Sequence, residues 1–182
     1  MVTLETSRLV LRRWREEDVA PMAAVNGDPE VMRWIRDGGV RDERQTRDGI
    51  RAWESEWEAE GFGLFAVEIR STGELAGFTG LSVPRFLPEV LPAVEIGWRL
   101  GRAHWGAGLA TEAARAVVRF GFEERGLDRI VSTRMRPGSP PGSGTRRLLP
   151  PRRSPAGEVE KAAECNPGVQ SPGCPSHHPR PG

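Results

Sequence analysis

The stretch Trp105-Gly106-Ala107-Gly108-Leu109-Ala110-Thr111-Glu112-Ala113 can do chemistry with its main chain alone. Glycine lets a backbone approach a bound anion closely. The first turn of a helix adds N–H groups that lack intrahelical partners and are backed by the positive end of the helix dipole. A loop of this composition entering a helix can hold a pyrophosphate through amides, without a lysine. Gly106 and Gly108 taken alone would equally suit a tight turn selected for packing, so the surrounding elements decide between the two. The dinucleotide-binding fingerprint requires Gly-x-Gly-x-x-Gly/Ala after the first strand of a βαβ unit. Here Thr111 occupies the third place and a hairpin precedes the loop, so that reading is set aside.

The elements that must position this loop follow from periodicity and punctuation. Arg8 to Trp14 reads as a strand, and Glu16, Glu17 and Asp18 supply the acidic start of a helix running to about Asn26. Asp28-Pro29 caps a short helix through Val31, Met32 and Ile35. Asp42 and Gln45 have capping-box spacing ahead of a longer helix that buries Ile50, Trp53 and Trp57 on one face and stops at Gly61. Leu64 to Ile69 and Leu75 to Val83 read as antiparallel strands joined by Ser71-Thr72-Gly73-Glu74, and 84–92 as a proline-punctuated loop. Val94, Ile96, Trp98 and Leu100 alternate with Glu95, Gly97 and Arg99, the pattern of a two-faced strand. A helix is expected from Thr111, turning Ala113, Ala114, Val117, Val118 and Gly121 inward, followed by a strand over 127–131. The order β-α-α-β-β-β-α-β predicts an α/β domain with a mixed sheet.

The strand ending Trp98-Arg99-Leu100, the loop from Trp105 to Ala113, and the opening Glu5-Thr6-Ser7-Arg8-Leu9-Val10-Leu11-Arg12 together resemble the acetyl-CoA signature of GNAT N-acetyltransferases. The similarity is to the RimJ/RimL-like branch, which modifies protein N-termini and small amines, and it spans residues 4–133. It implies a mixed, mostly antiparallel sheet flanked by helices, with acetyl-CoA as co-substrate and a small amine or protein N-terminus as acceptor. Carried over residue by residue, it assigns Gly106, Ala107, Gly108, Leu109, Ala110 and Thr111 to the phosphates, and Ile96, Trp98 and Leu100 to the flanks of the pantetheine arm. Trp105 stands where the wider superfamily has Gln or Arg. The implied reaction is attack of a neutral amine on the thioester, with a base to take its proton and backbone N–H groups to stabilise the oxyanion. Glu95 is the candidate base, because relatives of this kind often carry a carboxylate on that strand; an exposed Glu on a half-buried strand is the plainer reading. Trp34, Arg36 and Trp57 are candidates for the acceptor side, Trp57 being equally suited to the core, and His104 reads as a loop residue.

Composition changes near Thr133. Trp and Phe stop at Phe122, and eleven of the sixteen prolines lie from Pro137 onward. From Arg134 the chain carries eight basic against three acidic residues, a charge of +5 that leaves −4 for the part before it. Residues 134–182, rich in Pro, Gly, Ser and Arg, hold too few large aliphatics to offset the entropy of ordering and are expected to be a disordered tail, apart from a possible short helix over 158–165. Cys165, Cys174, His177 and His178 match no zinc-ligand spacing, and no metal is expected. A net charge of +1 over 182 residues argues against nucleic acid or an anionic membrane as partner. The first eight residues form no apolar leader and no stretch reaches the roughly 20 apolar residues of a membrane span, so a cytoplasmic protein is expected. Oligomeric state leaves no sign in the sequence.

After the strand that here spans 127–131 the family continues with an Asn-containing turn, a helix bearing Ser or Tyr near the CoA sulphur, and a closing hairpin. This chain has Met135-Arg136-Pro137-Gly138-Ser139-Pro140-Pro141 and no tyrosine anywhere. The C-terminal strands are expected to be missing and transfer to be crippled relative to binding. Two alternatives stand beside the enzyme reading: a catalytically dead CoA-binding module, and an interaction protein acting through its Arg/Pro-rich tail. A shifted reading frame in GC-rich coding DNA accounts best for the break. The DNA downstream of Thr133 is expected to encode, in another frame, an Asn-containing turn, an amphipathic helix with Leu-Gly near its end, and a hairpin; sequencing that yields no such pattern in either frame makes the tail native.

Overall fold

The computed structural model describes residues 2–33, 35, 38–85, 91–134 and 145–149. Strands β1 (Leu4–Glu5), β2 (Leu9–Arg12), β3 (Leu64–Ile69), β4 (Leu75–Ser82), β5 (Val94–Leu100), β6 (Ile130–Arg134) and β7 (Thr145–Leu149) form one sheet in sequential order. Every pairing is antiparallel except that of β5 with β6, and the helix between those two, α4 (Leu109–Arg119), is the crossover that a parallel pair requires. Helices α1 (Val19–Gly27), α2 (Pro29–Met32) and α3 (Glu43–Glu60) lie between β2 and β3 in the chain.

Two-residue periodicity divides the sheet into two packed faces. One carries Leu9, Leu11, Phe65, Val67, Leu81 and Ile96 against Leu109, Ala113 and Val117 of α4 and Phe120 beyond it. The other carries Leu64, Ala66, Leu75 and Phe78 against Met22 and Val25 of α1 and Ile50 of α3. The predicted capping box opens α3: the Asp42 carboxylate accepts from the Gln45 amide at 2.7 Å and the Gln45 side chain accepts from the Asp42 amide at 3.0 Å. Gly61 ends that helix in the left-handed conformation.

Several boundaries differ from the sequence reading: β2 is shorter than Arg8 to Trp14, α2 stops at Met32 short of Ile35, and β4 ends at Ser82. Glu16–Asp18 form a 3-10 turn before α1, and the two-residue β1 was not anticipated. Helix α4 starts at Leu109 instead of Thr111, because Gly108, at φ 76°, serves as its N-cap. Strand β6 begins at Ile130, since the Leu127 amide donates to Gly121 O at 3.0 Å and holds the preceding residues in a turn. The largest correction concerns the tail. Residues 145–149, expected to be disordered, form β7 and pair with β6 from Ile130↔Leu149 to Arg134↔Thr145, so β6 is not the bare edge that missing C-terminal strands would leave. The helix expected over 158–165, together with Cys165, Cys174, His177 and His178, lies outside the described residues.

Charged groups within the fold are paired. The Arg12 guanidinium meets both carboxylate oxygens of Asp18, at 2.7 and 2.9 Å, and donates through Nε to Glu68 at 2.7 Å. Arg12 and Asp18 are both buried. On the same helix layer, Asn26 accepts from Arg99 of β5 and donates to Thr46 of α3 at 3.0 Å, while the Arg99 guanidinium lies 5.2 Å from the Phe78 ring centroid. This network fixes β5 against α1 and α3. Removing one partner of a buried pair strands the other charge, so Asp18→Ala should lower folding stability by about 3 kcal/mol, read as a reduced urea midpoint.

Candidate active site

Strands β5 and β6 stay paired for only two residues, Val94↔Ile130 and Glu95↔Val131. Beyond Glu95, β5 keeps its antiparallel partner β4 as far as Leu100, while β6 continues with β7, so a wedge opens between β5 and β6. The direction of the backbone groups along the wedge follows from the pleat. The Val94 amide donates across to Arg129 O, whereas Gly97 O accepts from Thr79 Oγ1 and the Gly101 amide donates to Ala76 O, both on the β4 side. Alternation therefore turns the amide and carbonyl of Ile96, Trp98 and Leu100 into the wedge. Leu100 O is already taken by the Trp105 indole Nε1, at 2.8 Å. Ile96 and Trp98 are left as an edge with no strand partner among the described residues, able to bind an extended amide-bearing chain as an added strand would.

The wedge leads to the glycine loop. Gly106 and Gly108 both have positive φ, 75° and 76°, which an L side chain adopts only with strain. Gly108 caps α4 with no side-chain bond of its own, leaving the first-turn amides of Leu109, Ala110 and Thr111 without intrahelical acceptors. Gly106, Ala107, Gly108 and Thr111 are exposed, Ala110 is half-buried, and Leu109 anchors the turn in the core. The result is a row of converging N–H groups at the positive end of a helix, suited to a diphosphate.

Glu112 stands in that same first turn. Its Oε1 accepts from Thr6 Oγ1 at 2.6 Å, Ser7 Oγ at 3.0 Å and the Arg8 amide at 3.0 Å. Its Oε2 accepts from Arg8 Nε at 2.7 Å, and Arg8 Nη1 donates onward to Ala107 O at 2.9 Å. Burial works to raise the carboxyl's pKa, but the hydrogen bonds from Thr6, Arg8 and Ser7 outweigh it and hold the group down at about 2. At neutral pH it is ionised and balanced by Arg8.

At the far end of β5, carboxylates gather on the face toward α3. Glu95 is half-buried and stands opposite Ser82 in register. Glu56 of α3 accepts from the amide of Val83, the next residue, at 2.9 Å. Burial pushes the Glu56 carboxyl above its usual range, with Glu60 adding to the effect; the Val83 hydrogen bond and nearby Arg85 oppose it. Of the other expected site residues, Trp98 is 46% exposed, whereas Ile96 and Leu100 are buried, so only their backbones can meet a ligand. Trp57 is core: its indole donates to Leu64 O at 3.1 Å and meets Phe65 edge-on. His104 lies in a turn, 3.6 Å from Glu74. Trp34 and Arg36 lie outside the described residues. Among the described residues no cluster of His, Cys, Asp or Glu is arranged to hold a metal, and no helix is long and apolar enough to cross a membrane.

The fold has counterparts in known proteins. The family model described as an acetyltransferase (GNAT) domain matches residues 8–136. The chain belongs to the GNAT acetyltransferase family. It is 34% identical over 131 residues to the uncharacterized N-acetyltransferase p20 of Bacillus licheniformis, covering 71% of each chain. Its fold superposes on an acetyltransferase from Agrobacterium tumefaciens with a TM-score of 0.64 at 29% identity, covering 79% of this chain and 77% of that one. The ribosomal L7/L12 α-N-protein acetyltransferase RimL, solved in complex with coenzyme A, shares the fold at 15% identity, with a TM-score of 0.60 and coverage of 72% and 74%. GNAT enzymes take acetyl-CoA as donor.

Composition and spacing give Glu112, Arg8 and Glu56 no functional role. Arg8 and Glu112 lie 104 positions apart. One signal was present for Glu112: an acidic residue in the first turn of a helix that is to hold an anion is out of place unless a cation neutralises it. The depressed carboxyl of Glu112 also has a measurable consequence. Its folded pKa lies below its unfolded value, so its stabilisation is present above about pH 4.5 and is lost as pH falls toward 2. The stability difference between the native chain and Glu112→Gln should therefore shrink across that window, as measured by urea titrations at a series of pH values.

Proposed function

We propose that this chain transfers the acetyl group of acetyl-CoA to a primary amine, a small amine or a protein N-terminus, and that residues 4–133 carry that activity. The observation supporting this most strongly is the continuity of the Ile96–Trp98 backbone edge with the amide row at 106–111. An extended pantetheine arm would lie along the first, and a pyrophosphate would sit on the second. RimL, of the same fold, acts on a protein N-terminus according to its name, and that class of acceptor is carried here as part of the proposal.

The acceptor side favours amines on electrostatic grounds. Amines reach the protein as ammonium ions, and Glu95 and Glu56 make that side of the sheet acidic, Glu60 being paired with Arg85 at 2.7 Å. A carboxylate then takes a proton from the ammonium or from the attacking amine. The amine nitrogen forms its bond to the thioester carbonyl carbon, the C–S bond breaks, and the thiolate recovers a proton directly or through water. Glu95 is the proposed base because it sits on β5 at the mouth of the wedge. Glu56 is the second candidate, since its raised pKa fits the role better.

Acetyl-CoA binding measured by calorimetry on the full chain tests the donor site, and Gly108→Asp should abolish it by placing a carboxylate where the phosphate belongs. Normal affinity in that variant would move the site elsewhere. Thiol release with a panel of primary amines tests transfer. Glu95→Gln should slow it about 100-fold with binding retained; a loss of that size in Glu56→Gln instead would transfer the base role to Glu56. Binding without turnover of any amine would leave a CoA-binding module.

A further inference from the structure

We infer that Arg8 and Glu112 form a positioning device that sets the shape and charge of the pyrophosphate loop, an inference that rests on the acetyl-CoA reading of that loop. The argument starts from peptide geometry. In a trans peptide unit the carbonyl and the following N–H point in opposite directions. Arg8 Nη1 holds Ala107 O at 2.9 Å, so the Gly108 N–H is aimed away from Arg8. Gly108 at φ 76° then passes the chain into the first turn of α4, whose amides follow. With no grip on Ala107 O, this peptide between two positive-φ glycines has little else to fix its orientation.

The grip is itself anchored. Arg8 uses Nε and Nη2 on Glu112 Oε2, each at 2.7 Å, and the opposite carboxylate oxygen is filled by Thr6, Ser7 and the Arg8 amide. One guanidinium plane is thus fixed by the helix and held on the loop, a bridging role that a planar fork of donors performs and a point charge does not. The pair also cancels a cost. An unneutralised Glu112 would repel a phosphate bound at the turn it occupies.

The Arg8 side chain is 49% exposed, so its half of the ion pair contributes little to folding; the stabilisation of Glu112, 18% exposed, comes also from Thr6, Ser7 and the Arg8 amide, whose bonds an amide oxygen can still accept. The effect of breaking the pair should appear in ligand affinity more than in the melting of the unliganded protein. Dissociation constants would be measured on the full chain for two probes: CoA, and pantetheine, which ends before the pyrophosphate. Arg8→Ala and Glu112→Gln should each weaken CoA by about tenfold or more, the scale of a lost charge-assisted contact, and leave pantetheine within about twofold. Glu112→Gln keeps acceptors for Thr6, Ser7 and the Arg8 amide, so it tests the charge pair without stripping the segment before β2. Unchanged CoA affinity in both variants overturns the inference, and so does equal weakening of both probes, which would mark a general structural role. A loss confined to Arg8→Ala also overturns it, making Arg8 a direct phosphate ligand. A native chain that binds pantetheine and CoA equally would show that the loop reading itself has failed.

Discussion

The site depends on a parallel strand pair that separates almost as soon as it forms. Strands β5 and β6 share two residue pairs and then diverge, one retained by β4 and the other by β7. An unpaired backbone edge inside a sheet is ordinarily a liability, since each amide and carbonyl needs a partner. Here the exposed edge is short. Leu100 O is covered by the Trp105 indole, and the groups of Ile96 and Trp98 remain for a ligand. The Arg99–Asn26–Thr46 network holds β5 on its other side, and α4 buries the apolar side chains of the same strand. A rigid strand with one satisfied edge and one open edge is thereby kept in place.

The glycine loop extends this arrangement by the same means, since it too offers backbone amides in place of cationic side chains. Such a site is oriented by the fold more than by side-chain reach, and its geometry depends on what holds the loop from behind. The β1–β2 turn does this through Arg8 and Glu112, so the first residues of the chain and the helix more than a hundred positions later form one structural unit. The acidic group on the loop side, Glu112, is thereby neutralised, while Glu56 and Glu95 stand at the Ser82–Val83 end of β4. That separation of charge is what the proposed transfer requires, an anionic donor on one side and an ammonium on the other.

Much of this was legible in the sequence. Val94–Leu100 and Leu64–Ile69 have the boundaries that alternation predicts, and the Asp42/Gln45 capping box opens α3 as its spacing implies. The loop at 106–111 was legible as a turn into a helix, since Gly106 and Gly108 do adopt positive φ ahead of α4, but the glycines alone did not separate an anion site from a packing turn. Long-range contacts were illegible for a physical reason. Nothing local distinguishes Arg8 from any other arginine beside a strand, and its partners are fixed only when the sheet brings the β1–β2 turn beside α4. The pairing of β7 with β6 escaped prediction because Arg146, Arg147 and the flanking prolines outweigh Leu148 and Leu149 in any compositional reading, whereas strand pairing needs only five residues with free backbone groups. Glu56 was likewise a plain helical glutamate until burial raised its pKa.

Amide hydrogen exchange of the full chain, with and without saturating CoA, tests the central claim most directly, because the proposed site is made of backbone. The account predicts added protection at Ile96 and Trp98 and across 108–111, with little change at Gly97 and Arg99, whose amides already face β4. Protection equal at odd and even positions of β5, or absent from both β5 and the loop while CoA is bound, would contradict it.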